Sequence, residues 1–281
     1  MANNYFDNLN SNMKNVKFAP SFMMRGNILK FVAPDGKIIS KDGSLRLYRY
    51  MRISNIAEIL NGTVRFDLPD RWNDPFEKLF YRNPITIGTK TYQVFCLCFV
   101  SDVNKGEESL WHTHGQIQNG IKKSLCDCVV RAAIDVQNLC KELSKAHPDM
   151  TFFLTQIDYS LSREQILHRW RTQKNKAYSS LDEFIKDMSL KRKAFSYEHE
   201  VRLFGVSEQP LKTENQFCLI NIKNTKSIIT SVTLPPLPVS QNYDKQAYHK
   251  QLEAMALNLK NELQNVGYNR TITQSRLYDI I

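Results

Sequence analysis

Glu198 and Glu200 stand two residues apart in the run Tyr197-Glu198-His199-Glu200-Val201-Arg202, and Arg202 continues the same spacing. Side chains of a strand alternate between its faces, so an extended reading puts both carboxylates and the guanidinium on one face and Tyr197, His199, Val201 and Leu203 on the other. Such a trio can do chemistry. A fixed carboxylate stabilises positive charge that develops nearby, and a second one within reach can move a proton. The plainer alternative is a solvated ladder of charges along a strand edge. The same face runs on into Phe204 and Val206. A strand that leaves a core and ends at the lip of a cleft has this pattern.

Arg49 is the second residue of interest. In a strand from Leu45 to Met51 it shares its face with Leu45, Leu47 and Met51, and a guanidinium on an apolar face must find an anion. Glu77 and Glu200 are the candidate protein partners, and a ligand phosphate is the other possibility. Asn73, Asp74 and Glu77 lie in Trp72-Asn73-Asp74-Pro75-Phe76-Glu77; this turn either locks itself through Asx hydrogen bonds or lines the same cleft. His112 and His114 lie next to Trp111 and offer a general base, although histidines near a helix start are more often surface residues.

These residues need elements to position them. The reading along the chain gives strands at 45–51, 63–68, 94–100, 121–130, 151–159, 216–222 and 227–234. It gives helices from Ser54 as N-cap to Leu60, from Ser109 through Trp111 and His114, and over 132–146, 163–171, 180–193 and 244–266. Asn61-Gly62 closes the first helix. The expected architecture is α+β, one domain around a mostly antiparallel twisted sheet with flanking helices. Residues 1–43 read as a loosely ordered leader, 44–240 as the core domain, and 241–281 as an amphipathic helix and tail packed on that core through Leu252, Met255, Ala256, Leu259 and Leu263.

Composition narrows the class. The 281 residues carry a formal net charge of +10 with 42% hydrophobic residues, and no stretch reads as a membrane span or secretory signal. A cytoplasmic protein without a membrane partner is expected. Between residues 161 and 193 nine Lys or Arg face four acids, an excess of five that suits nucleic acid or a ribonucleoprotein, or a solvated helical face. The six cysteines include Cys96/Cys98 and Cys126/Cys128 at alternate positions in apolar runs. Zinc-type spacing is absent, so no metal centre is expected. Neither a phosphate-binding glycine loop nor a dinucleotide fingerprint occurs.

Several blocks occur in a characteristic order. They are Leu47-Tyr48-Arg49-Tyr50, Ile59-Leu60-Asn61-Gly62, Trp72-Asn73-Asp74-Pro75-Phe76-Glu77, Cys98-Phe99, Leu110-Trp111, Gly120-Ile121, and Lys193 with Tyr197-Glu198-His199-Glu200-Val201-Arg202. In this order the chain resembles the bacterial family called domain of unknown function twenty-nine seventy-one, from about Leu45 to Leu234. More distantly, the Arg-bearing strand, the short helix ending in Leu-Asn-Gly and the late Glu-x-Glu strand resemble the ADP-ribosyltransferase superfamily. That resemblance implies an ADP-ribosyltransferase-like fold and NAD as co-substrate. Arg49 would orient the ribose and phosphates, with Tyr48 or Trp111 packing against nicotinamide. Glu200 would bond the nicotinamide ribose and support its developing positive charge, and Glu198 would orient or deprotonate the acceptor. The Ser-Thr-Ser strand of arginine-class transferases has only Ser109 as a loose substitute.

The expectation is therefore an NAD-consuming ADP-ribosyltransferase or NAD glycohydrolase, acting on nucleic acid or a translation component, with a bacterial defence or toxin setting by analogy. A non-catalytic nucleic-acid-binding or interaction module is the alternative. In it Glu198, Glu200 and Arg202 form a structural ion network with Arg49. A metal-dependent nuclease built on Asp74, Glu77, Glu198 and Glu200 is the second alternative.

Overall fold

The run Val94-Phe95-Cys96-Leu97-Cys98-Phe99-Val100 is apolar at every position, so the strand it forms must be covered on both faces. It is the second half of β5 (Lys90–Val100). The rest of the fold is arranged around that strand in the computed structural model, which describes residues 30–32, 46–72, 74–101, 107–114, 125–214, 217–236, 245–275 and 277.

Along one edge β5 pairs antiparallel with β8 (Glu200–Ser207), from Gln93 opposite Ser207 to Val100 opposite Glu200. The other edge is divided among three strands. β4 (Ile85–Ile87) takes Lys90 to Tyr92, β3 (Thr63–Asp67) meets Cys96 through Asp67, and β2 (Arg46–Arg52) meets Val100 through Tyr48. β2 and β3 thus each touch β5 at a single registered pair and then part. The sheet splits there, and a cleft opens between the two branches.

One branch continues from β2 to β6 (Val129–Asp135), β11 (Ile229–Leu234) and β12 (Thr271–Gln274); the other runs from β3 to β10 (Phe217–Asn221) and β9 (Thr213–Glu214). Beyond β8 lie β7 (Met150–Gln156) and β1 (Lys30–Val32). The described strand pairings are antiparallel apart from β1 with β7 and β11 with β12, and an isolated bridge joins Asp158 to Leu190 in parallel. This is a mixed α+β fold on a mostly antiparallel sheet.

Alternation along β5 and β8 sorts two cores. Phe95, Leu97, Phe99, Val201 and Leu203 face a large core closed by α1 (Ile53–Leu60), α3 (Val136–Ala146) and α6 (Lys245–Asn265). Val94, Cys96, Phe204 and Val206 face a second one with Ile166 of α4 (Arg163–Gln173) and Phe184, Ile185 and Met188 of α5 (Leu181–Met188). Glu200 and Arg202 lie on the face of this second core. The carboxylate face passes into the apolar one as its pattern implied.

Several local expectations shift. Residues 132–135 belong to strand β6, not to the helix expected over 132–146, because burial between β2 and β11 outweighs the helix preference of alanine. α3 begins only after Asp135, whose carboxylate caps it by accepting from Asn138 N at 2.9 Å. α1 starts at Ile53 with Arg52 at the N-cap, two residues before the position that Ser54 suggested. The strand expected at 121–130 begins at Val129, after a 3-10 turn at Leu125–Asp127. α2 (Glu107–His114) starts before Ser109. Within the region read as a leader, β1 adds an edge to the sheet; residues 1–29 and 33–45 lie outside the described residues. At the other end Leu259 and Leu263 of α6 are buried in the large core. Among the described residues no helix is long and apolar enough to cross a membrane.

Gly62 joins α1 to β3 with φ +88°, and a Cβ there would stand 2.9 Å from the carbonyl oxygen of Ile222. Both the left-handed backbone and the close approach require glycine. Gly62→Ala is expected to lower stability by about 1–3 kcal/mol, read as a shift of the urea unfolding midpoint without a change in its slope.

Candidate functional site

His199 has φ 43°, in the left-handed region, and its carbonyl accepts hydrogen bonds from both the backbone N and Oγ of Ser101, each at 2.9 Å. A non-glycine residue in this region costs energy, and the surroundings must hold it there. The kink corrects the reading of one continuous strand face. Glu198 ends a 3-10 turn, Lys193–Glu198, and β8 begins only at Glu200. Glu200 and Arg202 do share a face. Glu198 reaches the same point from the turn.

That point is Lys191. Its Nζ bonds Glu200 Oε2 at 2.9 Å, Glu77 Oε1 at 3.1 Å and Glu198 Oε2. Arg202, 1% exposed, bonds Glu200 through Nε at 2.7 Å and Nη2 at 2.9 Å, bonds Glu77 through Nη2, and gives Nη1 to the Met188 carbonyl at 3.0 Å. The Trp72 ring lies 3.8 Å beneath its guanidinium. The amide of Glu200 donates to the Tyr159 hydroxyl at 3.1 Å.

Three buried carboxylates therefore share two cations, an excess of one negative charge. Its effect falls unevenly. Burial alone would raise the Glu200 carboxyl, but Arg202 and Lys191 overcome it and hold the group well below the usual carboxylate range. Glu198 is pushed up by burial and by Glu200, against the opposing pull of Lys191. Burial would lower Lys191, but the surrounding glutamates, Glu200 foremost, raise it. Glu198 Oε1 has no hydrogen-bond partner among the described residues, and Glu198 is one of the residues that line the cleft.

The cleft has a volume of about 780 Å³, within the range of roughly 300–1,000 Å³ usual for small-molecule sites. Arg49 and Arg71 also line it and share Asp67 at 3.7 Å and 3.3 Å. One part of the wall thus carries an excess positive charge and another an excess negative one. At the rim Arg192 holds Asp74 with two hydrogen bonds of 3.1 Å, and Asp74 also accepts the amide of Phe76 at 3.1 Å, so it both closes its own turn and lines the cleft.

Tyr48, Arg49, Asp74, Glu77, Glu198, Glu200 and Arg202 all line this cleft. Arg49 pairs with Asp67, which corrects the two partners considered from sequence, Glu77 and Glu200; those turn instead to Arg202 and Lys191. Trp111 does not line the cleft. It is buried edge-on against Tyr50 at 4.8 Å and donates Nε1 to Glu107 at 3.2 Å. Ser109 is exposed on α2 and does not line the cleft either. Asn73 and the side chain of His114 lie outside the described residues.

Sequence reasoning missed Lys191, Arg192, Asp67 and Arg71. The first two were counted in the basic stretch as a surface for polyanions, where Arg169 also pairs with buried Asp187. A usable signal existed: carboxylates on an otherwise apolar face call for more than one cation. Among the described residues no group of three His, Cys, Asp or Glu is placed to hold a metal ion; where Glu77, Glu198 and Glu200 converge, the Lys191 ammonium fills the cation position.

The excess charge has a consequence for stability. Glu198 has its folded pKa raised above 4.5, so the native protein binds the extra proton and loses stability as pH rises through that interval. Glu198→Gln is expected to raise the melting temperature at pH 7, and the gain should vanish below about pH 4.5, where the carboxyl is protonated in both states. Glu200 is shifted the other way, so its ionised form adds stability above 4.5 that is lost as pH falls. Glu200→Gln should therefore lower the melting temperature at pH 7. Thermal unfolding of both variants between pH 4 and pH 8 checks the opposite signs.

Compared with protein-family models, with curated proteins and with solved structures, the chain matches none.

Proposed function

We propose that the chain consumes NAD, as an ADP-ribosyltransferase or NAD glycohydrolase, in the cleft between the β2 and β3 branches. The observation that carries this reading is the third carboxylate. A structural network around Arg202 and Lys191 needs only two acids for balance, yet Glu198 is held beside them next to a strained residue, lines the cleft and keeps one oxygen without a protein partner among the described residues. Residues kept against stability are characteristic of sites.

The donor set suits the dinucleotide. Its diphosphate matches the Arg49 and Arg71 wall, its cationic nicotinamide matches the glutamate wall, and Tyr48 and Tyr197 among the lining residues offer rings for packing. Cleavage of the N-glycosidic bond places positive charge on the ribose carbon and frees neutral nicotinamide. Glu200, locked as an anion by Arg202 and Lys191, stabilises that charge without having to reorient. Glu198, with its raised pKa and open oxygen, takes the proton from the attacking hydroxyl or water. Tyr48 takes the role at nicotinamide for which Trp111 was the other candidate.

One observation favours a non-catalytic module instead: both oxygens of Glu200 are engaged by protein cations. The nuclease reading has less support, since Lys191 already occupies the point on which the carboxylates converge.

Incubation with NAD and quantification of free nicotinamide tests the reading, alone and with RNA, DNA or protein acceptors. Glu198→Gln, Glu200→Gln and Arg49→Ala variants that retain the native circular dichroism spectrum are expected to lose activity by about 10²-fold or more. No nicotinamide release by the unaltered protein under any of these conditions overturns it.

A further inference from the structure

Behind Arg49 a second cavity of about 520 Å³ shares Arg49, Asp67 and Arg71 with the cleft. Arg52 and Arg65 complete a set of four guanidiniums there, against the carboxylates of Glu58 and Asp67. Arg52 pairs with Asp127 at 3.4 Å, so one positive charge is left in excess. Glu58 is occupied by Arg65, and Asp67 divides itself between Arg49 and Arg71. The floor is the outer face of β3 and β10, where Asp67 stands opposite Phe217 and Arg65 opposite Leu219. The guanidiniums of Arg71 and Arg65 lie 4.0 Å and 4.4 Å from the centre of the Phe217 ring. Leu219 is 40% exposed.

We propose that this cavity holds the phosphodiester backbone of a single-stranded nucleic acid and leads the strand past Arg49 to the cleft. Its role as acceptor site rests on the NAD-consuming reading; strand binding does not. The chemistry distinguishes a strand from a free phosphate in two ways. Arg52, with its side chain 58% exposed, leaves one end open, so a chain can pass through. Phe217 with the guanidiniums of Arg65 and Arg71 over its ring, next to exposed Leu219, offers a surface for bases, whereas a lone phosphate has no use for one. The partial neutralisation of Arg49 and Arg71 by one shared carboxylate leaves both able to turn to a phosphate.

The test is fluorescence anisotropy with labelled oligothymidylate and oligouridylate of about 12 nucleotides, titrated at several salt concentrations. Binding is expected to weaken at least about fivefold in Phe217→Leu. In Arg52→Gln the slope of log affinity against log salt should fall by about 0.7. Asp67→Asn, which releases two guanidiniums, should bind several-fold more tightly, an outcome that misfolding cannot imitate. The proposal is overturned if neither oligonucleotide binds, if the three variants bind as the unaltered protein does, or if inorganic pyrophosphate binds and the oligonucleotides do not. Nicotinamide release is followed separately. Strand binding that obeys the variants without nicotinamide release removes the NAD reading and keeps this site; release without strand binding does the reverse.

Discussion

Arg202 carries a full charge into the interior, and its neighbourhood is organised by the need to neutralise it. Its guanidinium sits on β8, takes Glu200 from the same strand face and Glu77 from the loop after β3, and gives its remaining group to the end of α5. An unpaired charge at this depth would cost several kcal/mol. The arrangement therefore ties the loop at residues 74–80, the turn before β8 and α5 to one point, which forms one wall of the cleft. A hydrophobic substitute could fill the same volume, so stability alone does not account for the ions.

The cleft itself follows from the sheet. β5 is longer than any single partner on its outer edge, and three strands share that edge. Strand twist then separates β2 from β3, and the gap exposes Arg49 and Asp67 on one side and the ends of β5 and β8 on the other. The positive excess comes from Arg49 of β2 and Arg71 just after β3, and the negative one from Glu77, Glu198 and Glu200. Electrostatic preorganisation of this kind acts on a ligand that is itself dipolar.

Much of this was legible in the residues themselves. The period-two pattern from Glu200 to Val206 and the fully apolar Val94–Val100 gave the two central strands and the sense in which the charged face enters the core. Asn61-Gly62 gave the end of α1, since a left-handed position next to a carbonyl admits glycine. The helix expected over 132–146 was mistaken at its start, because alanines read as helical until the flanking strands β2 and β11 are known. Glu198 was placed on the strand because the pattern carries no sign of the His199 kink, which depends on the hydrogen bonds from Ser101.

The amino-acid sequence by itself determined which residues had to be paired: two glutamates and an arginine among apolar neighbours, and Arg49 on an apolar strand, each need a partner wherever they are buried. Only the tertiary structure decided who the partners are. Lys191 comes from a stretch that reads as a basic surface, and Asp67 meets Arg49 because β3 and β2 leave β5 side by side. Alternation and periodicity are local properties, whereas charge pairing is settled by contacts between distant segments. For that reason Arg49 and Glu200 could be named from the chain, but their common cleft could not.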